Sequence, residues 1–243
     1  MEEQFLRTRM LLGAPAMEKL ARSHVAVFGL GGVGSWAAEA LCRSGVGALT
    51  LVDQDEVGLS NLNRQIQALH STLGQPKALA LATRLADISP ACTLTPVVGR
   101  YEAGCREDFF QAGYDYIVDA IDLVSCKLDL IQTALERGIP ILSALGTGNK
   151  LDPTQLRIGD LAQTEGCPLA RVVRKELRRR GILHHKVLWS PELPRAALPQ
   201  ESLACGEAPP PGRRSIPGSV AWVPPCAGLM LAGEAIRDLT GAW

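Results

Sequence analysis

With 243 residues, 47% of them hydrophobic and 21% charged, the chain is long enough for one α/β domain with a generous core. Lysine plus arginine and aspartate plus glutamate number 25 each, so no global field recruits nucleic acid or a membrane; any such attraction must come from a local patch. Seven cysteines with no C-x-x-C pair argue against both a zinc knuckle and a disulfide framework, and most should be small buried hydrophobes in a reducing compartment.

The N-terminal stretch MEEQFLRTRMLLG has acids at its start and no long apolar run. It reads as neither a secretory signal nor a membrane anchor, and the expected location is the cytoplasm. Residues 1–22 should be helical, with Met10, Leu11 and Leu12 apolar and Arg7 and Arg9 exposed. Val25 to Phe28 is a short apolar run suited to a buried parallel strand. Gly29, Gly31 and Gly34 then match the G-x-G-x-x-G spacing, and Gly32 adds a fourth position without a side chain. Such a turn brings backbone close to a phosphate, while the first amides of the helix from Val33 offer donors to the anion. The second strand, Ala48 to Val52, ends in Asp53, placed to accept hydrogen bonds from a ribose hydroxyl. These features define a nucleotide site and leave NAD and ATP both open, because both present a ribose and a pyrophosphate.

Beyond Asp53, the polar groups Asn61, Asn63, Arg64 and Gln65 crowd the region just past a strand end, with Ser60 as a candidate helix cap. Pro76 starts a helix that carries Lys77 in its first turn. A lysine there opposes the helix dipole and calls for a negative group nearby. Cys92 to Val98 reads as a third strand and Cys105 to Gln111 as a short helix. Tyr114 to Ala120 reads as a fourth strand carrying Asp119 at its end, with Asp122 three residues later. Two carboxylates leaving that strand suit a magnesium ion shared with phosphates, although Asp122 equally suits a cap for the helix Val124 to Arg137. Ile139 to Ala144 is a fifth strand, and the segment to residue 162 leads through a loop to a sixth. The βα alternation predicts an α/β, Rossmann-like fold: a largely parallel sheet with helices on both faces and a C-terminal extension.

From Cys167 the character changes. Arg171, Arg174, Lys175, Arg178, Arg179, Arg180 and Lys186 form the chain's one concentrated positive run, with Val172, Val173 and Leu177 as an apolar stripe. A solvated helix face would explain such a run. Glu176 alone does not balance it, however, and contact with a phosphate backbone is the favoured reading for Arg171, Arg174, Lys175, Arg178 and Arg179. Pro191 to Gly218 reads as a long exposed loop, and Ala227 to Leu239 as a closing helix. The expected layout is a single domain: a helical segment over 1–22, a nucleotide-binding core over 23–165, and the basic helix, loop and closing helix over 166–243.

The stretches GLGGVGS at 29–35, D-x-D-x-V at 53–57, SNLNRQ at 60–65, GQPKA at 74–78 and VDAID at 118–122 occur together in this order. Together they resemble the ubiquitin-activating-enzyme-like adenylating superfamily, which includes ThiF and MoeB. The resemblance implies ATP and magnesium as cofactors. It places Asp53 on the ribose, Asp55, Asn61, Asn63 and Gln65 in the motifs lining the nucleotide, and Arg64 and Lys77 on the phosphates. Asp122 becomes the metal ligand, and Arg9 reaches into the partner subunit's site of a homodimer. The catalytic set so implied is Arg9, Arg64, Lys77 and Asp122. Within the superfamily, GVGSWAAEAL, NRQIQAL, YIVDAID and LDPTQLRIGDLA with the following basic helix resemble the branch that dehydrates threonylcarbamoyladenosine in tRNA. That branch implies tRNA as substrate. One alternative is an activator of a ubiquitin-like sulfur carrier, with a sulfur-transfer or ubiquitin-like protein partner; the missing zinc cysteines and the basic helix weigh against it. The other is a nicotinamide-dependent oxidoreductase, for which no histidine stands out as catalytic.

Overall fold

The computed structural model describes residues 3–196 and 217–243, so most of the stretch Pro191 to Gly218 lies outside the described residues. A short turn leads into helices α1 (Leu6–Leu12) and α2 (Ala14–Arg22), which are separated at Gly13 by a backbone φ of 82° that an L side chain rarely adopts. Seven strands follow: β1 (His24–Phe28), β2 (Ala48–Asp53), β3 (Thr93–Val98), β4 (Tyr116–Asp119), β5 (Ile141–Ala144), β6 (Arg157–Asp160) and β7 (Lys186–Trp189). They form one sheet in the order β3-β2-β1-β4-β5-β7-β6, parallel throughout except for β6 against β7.

Alternation along β1 divides the core. Val25 and Val27 face one side with α2, α3 (Gly34–Arg43), α4 (Lys77–Ile88) and α8 (Val223–Thr240). Ala26 and Phe28 face the other side, with α5 (Arg106–Phe109), α6 (Val124–Glu136) and α7 (Pro168–Arg179). Helix α8 lies directly on α3 because Gly228 has no side chain; a Cβ there would sit 2.3 Å from the Val33 carbonyl. No helix among the described residues is long and apolar enough to cross a membrane.

The C-terminal extension is built into the same sheet. Strand β7, which the basic composition of its surroundings hides, sits between β5 and β6, and its Lys186 leaves the positive run to pair with Glu234 at 2.9 Å and Asp238 at 2.7 Å on α8. Ser60 lies inside the 3-10 turn Leu59–Asn61 and caps no helix; there Asn61 Oδ1 accepts a bond from the Gly58 amide. Four of the cysteines, Cys42, Cys92, Cys126 and Cys167, are buried as free thiols, as their composition suggested.

His185, just before β7, is buried and shares a 2.8 Å hydrogen bond with the Ser143 hydroxyl. Burial first, and the Lys127 ammonium second, hold its pKa down to about 3. The ring therefore stays neutral in the fold while the unfolded chain takes up a proton near 6.5, so stability is present above that value and is lost as pH falls towards 3. Each pH unit in that window costs up to about 1.4 kcal/mol. In urea titrations His185→Gln should lose stability less steeply than wild type over this range; equal slopes would remove His185 from the acid limb.

Candidate functional site

The sheet reverses its winding between β1 and β4, and the carboxyl ends of strands flanking such a switch leave a crevice. The chain turns there at Gly29, whose φ is 85° and where a Cβ would lie 2.6 Å from the Ala120 carbonyl. Gly34 is equally constrained, since a Cβ would stand 1.8 Å from the Gly29 carbonyl. The turn thus packs against residues 120 and 121 after β4 and starts α3. Gly32 is crowded on its outer side by the Arg64 stem and Pro224.

Asp53 ends β2 beside this turn. Its Oδ2 accepts the Leu30 amide at 2.6 Å and its Oδ1 the Asp55 amide at 2.8 Å. Burial pushes its pKa up, against the opposing pull of Lys77 and the two amides. Lys77 opens α4, is buried, and donates to Asp55 Oδ2 at 2.9 Å. Asp55 is therefore the negative group that the lysine's position required, and the pair forms one wall of the site.

Arg64 reaches the site from a polar hairpin of contacts. Its guanidinium donates to the Ser60 carbonyl at 2.9 Å and to Asn63 Oδ1 at 2.8 Å, while the Trp36 indole on α3 donates to the Arg64 carbonyl at 2.9 Å. Asn63 in turn donates to the Ser219 carbonyl at 2.9 Å, tying the motif to the segment before α8. Gln65 is buried beside Gly31. The structure therefore brings Gly29, Gly31, Gly32, Gly34, Asp53, Asp55, Asn63, Arg64, Gln65 and Lys77 to one sheet edge. Asn61 serves its own turn. Trp36 had no sequence signal beyond its place in the first turn of a helix.

The paired-carboxylate reading needs correction. Asp119 is fully buried, its Oδ2 bound by Lys127 at 2.6 Å and its Oδ1 by the Ile121 amide at 3.0 Å, so it is a structural anion and is not free for a metal. Asp122 is exposed, and it is not the cap of α6, because Leu123 takes that position with no side-chain bond. One carboxylate beside the glycine turn fits an ion that takes most of its oxygens from phosphate and water.

The basic helix α7 is also rearranged. Ala170, Val173 and Leu177 form its buried stripe, and Val172 is exposed. Arg174 is drawn inward, donating to the Thr164 carbonyl at 2.6 Å and its hydroxyl at 2.5 Å, so it anchors a loop where free phosphate contact had been expected. Arg179 pairs with Glu176 at 2.8 Å, and Arg180 donates to Gln132. Arg171, Lys175 and Arg178 remain exposed, and with Arg174 and Arg179 they line a concavity of about 440 Å³. Arg9 is exposed on α1, and its side chain makes no hydrogen bond or ion pair among the described residues.

A reversed parallel sheet, a glycine turn opening a helix, a strand-end acid and clustered cations define an α/β nucleotide-binding protein. The chain belongs to the ThiF family, whose model matches residues 5–242. It is 43% identical over 242 residues to the tRNA threonylcarbamoyladenosine dehydratase of Bacillus subtilis, covering 98% of this chain and 95% of that protein. It is similar to the crystal structure of the E. coli tRNA N6-threonylcarbamoyladenosine dehydratase in complex with ATP, with a TM-score of 0.87 and 34% identity over 98% of this chain and 94% of that one. The AMP complex of the same E. coli enzyme matches with a TM-score of 0.87 and 34% identity, over 98% and 95% of the two chains.

Proposed function

We propose that the chain is an ATP-dependent dehydratase of threonylcarbamoyladenosine in tRNA, working as one adenylating unit in the cytoplasm. The observation that carries this reading is the convergence of the glycine turn, Asp53, Arg64 and Lys77 on one sheet edge in a chain 43% identical to a dehydratase over nearly its whole length. ATP- and AMP-bound states of the similar E. coli enzyme support ATP as the nucleotide.

In the reaction, a carboxylate oxygen of the threonyl group attacks the α-phosphate and pyrophosphate leaves. The ureido nitrogen then closes on the activated carbonyl, breaking its bond to AMP, with net loss of water from the nucleoside. No protein nucleophile is required. Asp53 accepts from the ribose hydroxyls, the amides at the start of α3 bind phosphate, and Arg64 and Lys77 supply positive charge where negative charge gathers. Lys77, held by Asp55 in the free protein, is poised at short range for a phosphate that competes for it. Asp122 would hold a magnesium ion together with the phosphates; when bound, such an ion neutralises phosphate charge. Arg9, exposed and without an intrachain partner among the described residues, completes the neighbouring subunit's site in a homodimer.

The reaction products test the function. With ATP and tRNA carrying the modified adenosine, the enzyme should release AMP and pyrophosphate and leave a nucleoside lighter by one water, read by mass spectrometry. An unchanged nucleoside, with adenylation of a ubiquitin-like carrier instead, would shift the assignment to a sulfur-carrier activator.

The exposed basic face of α7 is the proposed tRNA contact. Lys175→Glu with Arg178→Glu should weaken tRNA binding by several-fold to ~100-fold and flatten its salt dependence by about one unit per lost contact. ATP binding should be unchanged, because α7 and α3 cover opposite faces of the sheet. Unaltered tRNA affinity and salt slope would make the run a solvated face.

A further inference from the structure

Gln67 lies three residues past Arg64, is 1% exposed, and falls outside the polar set that the motif reading selects. An amide side chain has two N–H donors and one carbonyl oxygen. Gln67 directs its nitrogen at the Leu30 carbonyl, 2.8 Å away, and at Gln65 Oε1, 3.4 Å away. Because a carbonyl can only accept, these neighbours fix which end of the amide faces the turn. The oxygen Oε1 is buried with no partner among the described residues. A buried polar atom left unpaired costs stability; an apolar side chain of similar size would avoid that cost but would leave the buried Leu30 carbonyl without the donor that Gln67 gives it. Filling space alone therefore does not account for glutamine at this position.

Its place beside the glycine turn does. The Gly29 amide donates to the Val52 carbonyl at 2.8 Å and the Gly31 carbonyl accepts from the Ser35 hydroxyl at 2.7 Å, with Leu30 between them. Asp53 holds the Leu30 amide at 2.6 Å, and Gln67 holds the Leu30 carbonyl at 2.8 Å. The turn is thus clamped from two sides through one residue. The second Gln67 contact orients Gln65, whose Nε2 lies 4.0 Å from where a Cβ on Gly31 would stand.

We propose that Gln67 is a positioning residue for nucleotide binding: through Leu30 it fixes the direction of the turn's amides, and through Gln65 it turns a second amide towards Gly31. The proposal rests on the ATP reading of the site. Donors already aimed at the phosphates bind without reorganisation, and loosening the clamp removes that advantage.

Gln67→Leu removes the donors together with the unpaired oxygen, whereas Gln67→Glu keeps the shape and sets an oxygen against the Leu30 carbonyl. Thermal melting, ATP calorimetry and steady-state kinetics on the full-length enzyme read the outcome. The leucine variant exchanges the unpaired oxygen for a Leu30 carbonyl without that donor, so it should melt close to the wild-type temperature yet bind ATP about tenfold more weakly, the scale of one net hydrogen bond, with KM for tRNA unchanged. The glutamate variant should lose at least as much ATP affinity. A leucine variant with wild-type ATP affinity, or one whose affinity falls only in step with its melting temperature, would overturn the proposal while leaving the ATP reading intact. Wild-type enzyme that binds no ATP would overturn both.

Discussion

The site depends on the bond between the Asp53 carboxylate and the Leu30 amide. It joins the end of β2 to the turn that leaves β1, at the point where the sheet's winding reverses. The bond holds a charged group in a largely buried place, and burial works against that charge. Two backbone amides and the nearby Lys77 offset part of that cost, and Lys77 is itself fixed by Asp55. Strand end, glycine turn and the start of α4 are thereby one electrostatic unit before any nucleotide arrives. Mutual support of this kind matters because the proposed chemistry relies on placing donors and cations and uses no protein nucleophile.

The two faces of the sheet divide the work. Helices α3, α4 and α8 pack on the face that carries the glycine turn, while α6 and α7 pack on the other. The basic surface is consequently separate from the cations of the nucleotide site, and a tRNA held by α7 would not compete for Arg64 or Lys77. The segment before α8 remains in touch with the nucleotide side, because Ser219 accepts from Asn63 and Pro224 sits against Gly32.

Much of the fold was legible in the sequence because its signals are local. Val25 to Phe28, the glycine spacing and the acid at Asp53 each follow from contacts within one βαβ unit, and the structure keeps them within a residue or so. The need for an anion near Lys77 was also readable, since it follows from the helix dipole, and Asp55 supplies it. What failed depended on distant partners. Strand β7 is four residues long and follows two histidines in a basic stretch, and only pairing with β5 and β6 makes it a strand. Arg174 and Lys186 counted as patch charges until Thr164, Glu234 and Asp238 claimed them. Asp119 looked like a metal ligand because Lys127, eight residues on, gives no hint in sequence that it turns inward. Gln67 stands inside the NRQIQAL stretch with no role of its own assigned there, as a buried amide is recognised only by what it touches.

Calorimetric titration of ATP into wild-type enzyme and an Asp53→Ala variant tests the central claim most directly. Wild type should bind ATP, and the variant should lose binding while retaining its cooperative thermal transition, since it loses both the proposed ribose acceptor and the grip on Leu30. A folded variant that binds ATP as tightly as wild type would contradict the claim that this carboxylate organises the site.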